Sequence, residues 1–336
     1  MNYNQNSGYG QALLNMVASQ VPTFGRIFVV FDPDDTTSEN YKRMQEIMLA
    51  DPNGLIRFYT SLETAYAATE SNNNDVILLD AHSTHIIADG IAWSKSRVHL
   101  MGMDGGDRLV QQGAKVQNTA GVATAYVIKV TGVRNSFRNI KFIQVNTEVT
   151  ALTVLEEGGE GNLYKNCSFI FGVADNLDLT TAHEVVAGSD SATYLDCTFG
   201  CDTLLTSAAR SVFHIDQVTA SQEFKSNILR GCTFIISSSS STATFVRCDA
   251  ITDILFTNLF DRCNFIASVD TAGGAAIAEV TQTGTGTNKG VLCYSHCAAF
   301  NCTDFSTVTG GRNAATQVVC VVPTAGTAGV GVAPTA

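Results

Sequence analysis

Charged residues are scarce in this chain, and basic residues are the scarcest. Only 15% of its 336 residues are charged, and 20 basic against 31 acidic residues give a formal net charge of −11. A helical bundle needs many more Glu, Lys and Arg residues. A nucleic-acid-binding protein needs a basic stripe, which no window of the sequence supplies. The composition therefore argues against both classes and predicts no nucleic-acid partner.

Long apolar runs are also missing, and so is a basic leader at the N-terminus. No run approaches the roughly 20 apolar residues that cross a bilayer, and residues 1–5 lack the positive region of a secretory signal. We therefore expect a protein without a membrane partner that folds in a cytoplasm. In such a reducing compartment its ten cysteines are expected to be free thiols.

Small polar residues and short apolar segments fill the sequence instead. With 28 Gly and 45% apolar residues, the composition is typical of a mainly β protein with short strands and tight turns. We divide the chain into an N-terminal anchoring tail (1–25), an α/β cap (26–75), a solenoid (76–320) and a flexible or partner-ordered C-terminal tail (321–336). Apolar residues of the first tail are predicted to make assembly contacts: Leu13, Leu14, Met16, Val17 and Phe24.

The most informative feature of the sequence is an internal repeat. Its unit is a bulky residue, two further positions, Cys, a small polar residue and Phe. Each unit is preceded by a second apolar strand, with Gly, Asn and Ser clustered between the two. The copies lie at 137–142 (with Ile in the Cys place), 164–169, 194–199, 229–234, 260–265 and, in degraded form, 300–305.

Alternation along a strand sends Cys and Phe to one face and the polar residue between them to the other. A single coil cannot bury that face, but coils stacked about 4.8 Å apart hydrogen-bond to one another and form continuous internal columns. Cysteine suits such a column because a buried thiol behaves as a small hydrophobe. The predicted core ladder contains Ile140, Phe142, Cys167, Phe169, Cys197, Phe199, Cys232, Phe234, Cys263, Phe265, Cys302 and Phe305.

The region before and within these coils resembles the pectate-lyase-like right-handed parallel β-helices. A short helix at 61–68 leads to the strand Asp75-Val76-Ile77-Leu78-Leu79, and a strand ending in Gly follows at 98–102. The resemblance covers roughly residues 55 to 320. It implies a mainly β, single-stranded right-handed parallel β-helix with a small α/β N-terminal cap. This fold serves enzymes and inert virion parts alike, so it does not fix a function.

The whole chain is also similar to structural proteins of tailed phages. The similarity includes the segments 21–31 and 72–80. It implies a place in the virion, assembled in the host cytoplasm, with other virion proteins and copies of the same chain as partners. Similar phage solenoids are often trimers, so a trimer is expected.

Residues that could carry chemistry are few and do not form a recognisable set. A hydrolase on this fold needs two or three carboxylates at set separation, and a lyase needs a calcium-binding carboxylate cluster and a base. Glu156, Glu157 and Glu160 lie among glycines and are interpreted as a solvated turn. The zinc alternative for Cys293, His296, Cys297 and Cys302 has unsuitable spacing, and buried thiols are favoured.

The sequence therefore predicts no catalytic, cofactor-binding or metal-binding residues. The leading interpretation is a structural component of a tailed-phage particle, a capsid-associated or decoration protein without catalytic activity. Two alternatives stay open. One is a tailspike-like polysaccharide depolymerase, and the other is a passive receptor-binding protein of the tail.

Overall fold

The computed structural model describes most of the repeating region and part of the segment before it. The described residues are 25–31, 39, 41–42, 56–81, 83–103, 112–119, 126–145, 153–172, 183–200, 211–216, 218, 223–237, 244–248, 253–268, 276–281, 289–302, 306–309 and 318–321. Among them, no helix is long and apolar enough to cross a membrane.

The described chain forms two strands, one helix and then eight coils of short strands. The first elements are β1 (Ile27–Val30), β2 (Ile56–Tyr59) and α1 (Leu62–Ala68). The first four coils contain β3 (Asp75–Leu79), β4 (Thr84–Ile87), β5 (Ile91–Trp93); β6 (Val98–Gly102), β7 (Lys115–Asn118), β8 (Ile128–Val130); β9 (Ser136–Arg138), β10 (Lys141–Gln144), β11 (Thr153–Glu157); and β12 (Leu163–Lys165), β13 (Ser168–Phe171), β14 (His183–Ala187).

The next four coils contain β15 (Thr193–Leu195), β16 (Thr198–Phe199), β17 (Ser211–Ile215); β18 (Phe224–Lys225), β19 (Ile228–Arg230), β20 (Thr233–Ile236), β21 (Thr244–Cys248); β22 (Ile254–Asp261), β23 (Asn264–Ala267), β24 (Ala276–Thr281); and β25 (Lys289–Ser295), β26 (Ala298–Phe300), β27 (Ser306–Thr309). A last strand, β28 (Val318–Val321), follows them.

Successive coils stack their strands into three parallel sheets. Sheet A has the order β2-β1-β3-β6-β9-β12-β15-β19-β22-β25-β28, with β18 paired to β22; sheet B runs from β4 to β26, and sheet C runs from β5 to β27. Each coil passes from sheet A to sheet B and then to sheet C. The predicted right-handed parallel β-helix with a mainly β chain is therefore confirmed.

A column of phenylalanine rings runs through the interior on sheet B. Register pairs each ring with the ring of the next coil, and the centroids of neighbouring rings are 4.8 to 5.5 Å apart in near-parallel stacks. All are completely shielded from solvent. Stacked rings at the strand spacing fix the register of each coil on the next. The members are Phe142, Phe169, Phe199, Phe234 and Phe265.

The corner between sheets A and B explains the recurring Cys. A residue with positive φ stands there in each coil from the third onward, for example Asn139 (57°), Asn166 (51°) and Asp196 (53°). This left-handed conformation turns the chain within one residue, so the next side chain points into the core. Ile140 and Cys167 occupy that inward place and are 0% exposed.

Replacing Asn166 tests whether this corner requires a residue that readily adopts positive φ. Asn166→Ala should lower the free energy of unfolding by about 2 kcal/mol, because a left-handed Ala costs about 1 kcal/mol and a lost side-chain hydrogen bond costs about another 1 kcal/mol. That hydrogen bond runs from Asn166 Nδ2 to Asn139 Oδ1 at 3.0 Å. Asn166→Gly should cost less than the Ala variant. Equal losses for the two, measured by urea unfolding, would contradict the conformational argument.

The last copy of the repeat differs from the sequence prediction. Register pairs Phe265 with Ala299, so the Cys place of the eighth coil belongs to Cys297, which directly follows His296 (φ 53°). The prediction of Cys302 at this place is therefore wrong. Phe305, its predicted companion, lies outside the described residues.

Helix α1 closes the N-terminal end of the interior. Ser61 caps it by accepting a hydrogen bond from the backbone N–H of Thr64 at 3.2 Å, as its sequence predicts. Tyr66 stacks on Trp93 of the first coil with ring centroids 4.2 Å apart. Lys95 Nζ donates to the carbonyl oxygens of Tyr66, Ala67 and Thr69 at 2.7 to 2.9 Å, which satisfies the helix end.

Candidate functional site

The outer face of sheet C carries polar side chains in register from coil to coil. In β8 and β17 the residues that flank the middle position face the core: Ile128 and Val130 around Lys129, and Phe213 and Ile215 around His214, are buried in it. The middle position therefore faces outward. Register aligns Ala92, Lys129, Glu156, Val186, His214, Arg247, Glu279 and Thr307 at this position.

Four of these residues have described polar side chains, and we call Lys129, Glu156, His214 and Arg247 the sheet C row. Lys129 Nζ lies 2.8 Å from Glu156 Oε2, and the two side chains are 30% and 18% exposed. His214 is 6% exposed and is the register neighbour of the half-buried Arg247. At the spacing of neighbouring strands, the row extends roughly 19 Å along the solenoid axis.

The charges of the sheet C row suit an elongated anionic molecule. A guanidinium binds carboxylates through two parallel hydrogen bonds, and an ammonium is a compact cation for the same purpose. A carboxylate can accept a proton or attack an electrophile, and an imidazole can carry a proton near neutral pH. The row therefore combines anion binding with groups capable of acid–base or nucleophilic chemistry.

Glu157, the chain neighbour of Glu156, lies on the opposite face of the strand. Its carboxylate is completely buried in the solenoid and accepts hydrogen bonds from the Tyr164 hydroxyl, from Asn162 Nδ2 at 2.9 Å and from the backbone N–H of Gly159 at 2.7 Å. Burial raises the pKa of Glu157 to about 7, although these hydrogen bonds act in the opposite direction.

The three acidic residues interpreted as one solvated turn thus have three different environments. Glu156 is in the sheet C row, Glu157 is inside the core and Glu160 is exposed at the end of the turn. The interpretation was wrong for Glu157. Strand alternation separates the two adjacent carboxylates, and sheet C extends further along the chain than the sequence indicated.

The thiols of the predicted core ladder lie in the interior. Cys167, Cys197, Cys232 and Cys263 are at most 1% exposed, and all are free. Their Sγ atoms donate to carbonyl oxygens, for example Cys197 to Leu195 at 3.4 Å. Burial holds the pKa of Cys197 well above its ordinary value. A buried thiol held protonated in this way, as that of Cys197 is, is unreactive.

The remaining predicted site residues fall elsewhere. Leu13, Leu14, Met16, Val17 and Phe24, the expected assembly contacts, lie outside the described residues. Cys302 is partly exposed near the C-terminal end of the described chain. Within the described ranges, no group of three or more His, Cys, Asp and Glu side chains could hold a metal ion.

Sequence reasoning identified the sheet C strands but missed the row that connects them. The connections between coils differ in length, so the sequence alone does not reveal which polar residues become lateral neighbours. A usable signal is present, however. When the strands are aligned on their paired apolar residues, as in Ile128-x-Val130, Phe213-x-Ile215 and Val246-x-Cys248, the middle positions coincide.

Comparison with known proteins gives matches at the level of structure. No protein-family model matches the sequence, and no curated protein matches it. The pectin methylesterase from Aspergillus niger, in a penultimately deglycosylated form, matches with a TM-score of 0.51 at 10% identity over 86% of this chain and 91% of that chain. A pectin methylesterase variant in complex with hexasaccharide IV matches with a TM-score of 0.51 at 11% identity, over 89% and 93%.

These matches support the resemblance to pectate-lyase-like β-helices, and at such low identity the likeness is one of fold. They also require a correction. The prediction that the chain has no enzymatic activity is contradicted, because the solved structures that share its fold along most of their length are enzymes.

Proposed function

We propose that this chain is a polysaccharide-processing enzyme that binds an acidic polysaccharide along the outer face of sheet C. The sheet C row carries the proposal, since it places Lys129, Glu156, His214 and Arg247 at one aligned position on four of five consecutive coils. An extended polymer needs such a linear array of contacts. The fold shared with pectin methylesterases supports the same class of substrate.

Some residues of the sheet C row bind the substrate, and others take part in the reaction. Arg247 and Lys129 bind carboxylates of the polymer. Glu156, held in position by its ion pair with Lys129, is the candidate base or nucleophile. His214 is the register neighbour of Arg247 and is largely shielded from solvent, so it positions Arg247.

The proposed place of this enzyme is the tail of a tailed-phage particle, where a tailspike-like depolymerase meets polysaccharide on the host surface. The similarity of the segments 21–31 and 72–80 to phage structural proteins supports a place in the virion, and the choice of the tail follows from the proposed activity. Other virion proteins and further copies of the chain, in a trimer, are the proposed partners. Immunogold labelling of intact particles tests the location, and label on the head alone would contradict it.

Purified full-length protein should act on uronate-containing polysaccharides and leave neutral ones such as dextran unchanged. Reducing ends, released methanol and the ultraviolet absorbance of new carbon–carbon double bonds distinguish hydrolysis, de-esterification and elimination. Added salt should weaken apparent substrate affinity, because contacts between exposed charges are screened. Absence of all three products from every acidic polysaccharide would overturn the proposal, and binding without product would indicate a passive receptor-binding protein.

A further inference from the structure

A second feature, outside the sheet C row, lies at the corner between sheets C and A. The residue at this corner has positive φ in consecutive coils: Arg97 (54°), Arg134 (57°), Gly161 (65°), Ser191 (57°), Ser226 (55°) and Phe256 (53°). Phe256 is the aromatic residue among them, and 55% of it is exposed to solvent.

Phe256 is held in this place by an extra residue in its strand. Strand β22 pairs Leu255 with Lys225 of β18 and Leu259 with Ile228 of β19. Residues 256–258 of β22 therefore lie opposite only two residues, 226 and 227. This is a β-bulge, a feature that redirects a side chain. A bulky side chain with positive φ is a genuine outlier, costing roughly 1–2 kcal/mol of strain. Burial of the ring does not offset that cost.

The surroundings of the exposed ring are polar and open. Lys225 Nζ lies 5.8 Å from the centroid of the Phe256 ring and 2.5 Å from Asp190 Oδ2. The register neighbour of Phe256 is Gly290, where an added Cβ would come within 2.7 Å of the backbone of Ile254. Gly290 on one side and Ser226 on the other are small, so the ring is 55% exposed among the residues that the structure describes.

We propose that Phe256 is the stacking platform of a sugar-binding subsite. The apolar C–H face of a pyranose ring lies on the phenyl ring, and Lys225 with Asp190 binds its hydroxyl or carboxylate groups. The proposal rests on the proposed polysaccharide-processing function and assigns a second contact region to it. This corner directly follows the sheet C strands, so one polymer chain can reach both regions.

A subunit contact is the other use of an exposed aromatic residue, and the surroundings disfavour it. Among the described residues, the only other large exposed hydrophobic side chains are Ile86 and Phe300. Both belong to sheet B strands, β4 and β26, so Phe256 is not part of a continuous apolar patch. Subunit interfaces bury clusters of apolar side chains at their centre.

Binding of an acidic polysaccharide to the immobilised Glu156→Gln protein, in which the polymer stays intact, tests the subsite. Adding Phe256→Ala should raise the Kd about tenfold, the effect of losing about 1.4 kcal/mol of aromatic contact. Phe256→Trp should retain binding because it keeps a stacking surface. Phe300→Ala, which removes an equally exposed ring from sheet B, is the matched control and should leave the Kd unchanged.

Two results would overturn the subsite while the proposed function stands. One is unchanged polysaccharide binding after Phe256→Ala. The other is a lower sedimentation coefficient of the Phe256→Ala protein, which would identify Phe256 as a subunit contact. Absence of polysaccharide binding by both the unmodified and the Glu156→Gln proteins would overturn the proposed function and the subsite together. Thermal unfolding of the Phe256→Ala protein verifies that it is folded before binding is compared.

Discussion

Replacing Glu156 by Gln should lower kcat on an acidic polysaccharide by at least about 100-fold. Loss of a positioned acid–base group has effects of this size or larger, and Gln keeps the shape of Glu while removing its charge and basicity. Lys129 then loses its partner at 2.8 Å but remains available to the substrate. We therefore expect a large fall in kcat with a small change in KM, measured from initial rates of product release.

The chain offers a matched control on its other face. Arg230 and Asp261 form an outward ion pair on sheet A, with Nε 3.0 Å from Oδ2, comparable with the pair on sheet C. Asp261→Asn should leave kcat unchanged. A similar loss of activity in both variants would mean that the ion pairs act through folding, and full activity of Glu156→Gln would remove this residue from the proposed chemistry.

Glu157 should lower the free energy of unfolding by about 3 kcal/mol as the pH rises from about 4.5 to above 7. This figure is the contribution of Glu157 only. Burial raises the pKa of this carboxyl from 4.5 to about 7 in the folded protein. The folded state therefore holds the proton more tightly than the unfolded state. That stabilisation is complete below the unfolded pKa and is lost as the pH passes through the folded pKa.

Glu157→Gln should remove this pH dependence, since the amide resembles the protonated acid in shape and stays neutral. Urea unfolding at a series of pH values measures the effect. Glu160→Gln, an exposed acid of the same coil, is the control and should keep the slope of the unmodified protein. The same slope in the Glu157→Gln protein would show that other groups cause it.

Asp75 contributes in the opposite direction and at lower pH. Burial raises its pKa, but hydrogen bonds from the Arg26 side chain, from Arg26 and Glu70 backbone N–H groups and from Asn73 outweigh this and leave the pKa below its usual value. Its stabilisation is present above the unfolded pKa and is lost only in more acidic solution. It therefore does not mask the effect of Glu157 between about pH 4.5 and 7.

The architecture could be predicted from sequence because its units repeat. Cys-x-Phe recurs where the chain leaves a left-handed corner, and each copy reports the same local geometry. Copies that keep both residues, such as Cys197 with Phe199, were assigned to the interior position that the structure gives them. Position within a repeat is a local property, so a single sequence suffices to find it.

The last coil shows where this local reasoning fails. Its inward ring position contains Ala299 instead of Phe, whereas a later Cys302 with Phe305 imitates the repeat. Both Cys297 and Cys302 follow a residue with positive φ, His296 (53°) and Asn301 (54°). Local conformation therefore does not distinguish them. Only pairing with β23, which aligns Phe265 with Ala299, decides the register.

The candidate site was hidden for a related reason. Lateral neighbours such as His214 and Arg247 are 33 positions apart in sequence, and their adjacency depends on the register of two strands. Lys129 and Glu156 form their ion pair through the same kind of alignment. A site spread across coils is a property of stacking and cannot be found within any one coil.

The closure of one end by α1 has a consequence for biosynthesis. Helix α1 and Trp93 precede the later coils in the sequence, so the ribosome releases the sealed end first. Each emerging coil can then pair with a completed coil below it, and coil formation can keep pace with translation. In the opposite order of synthesis, the helix that closes this end would be made last.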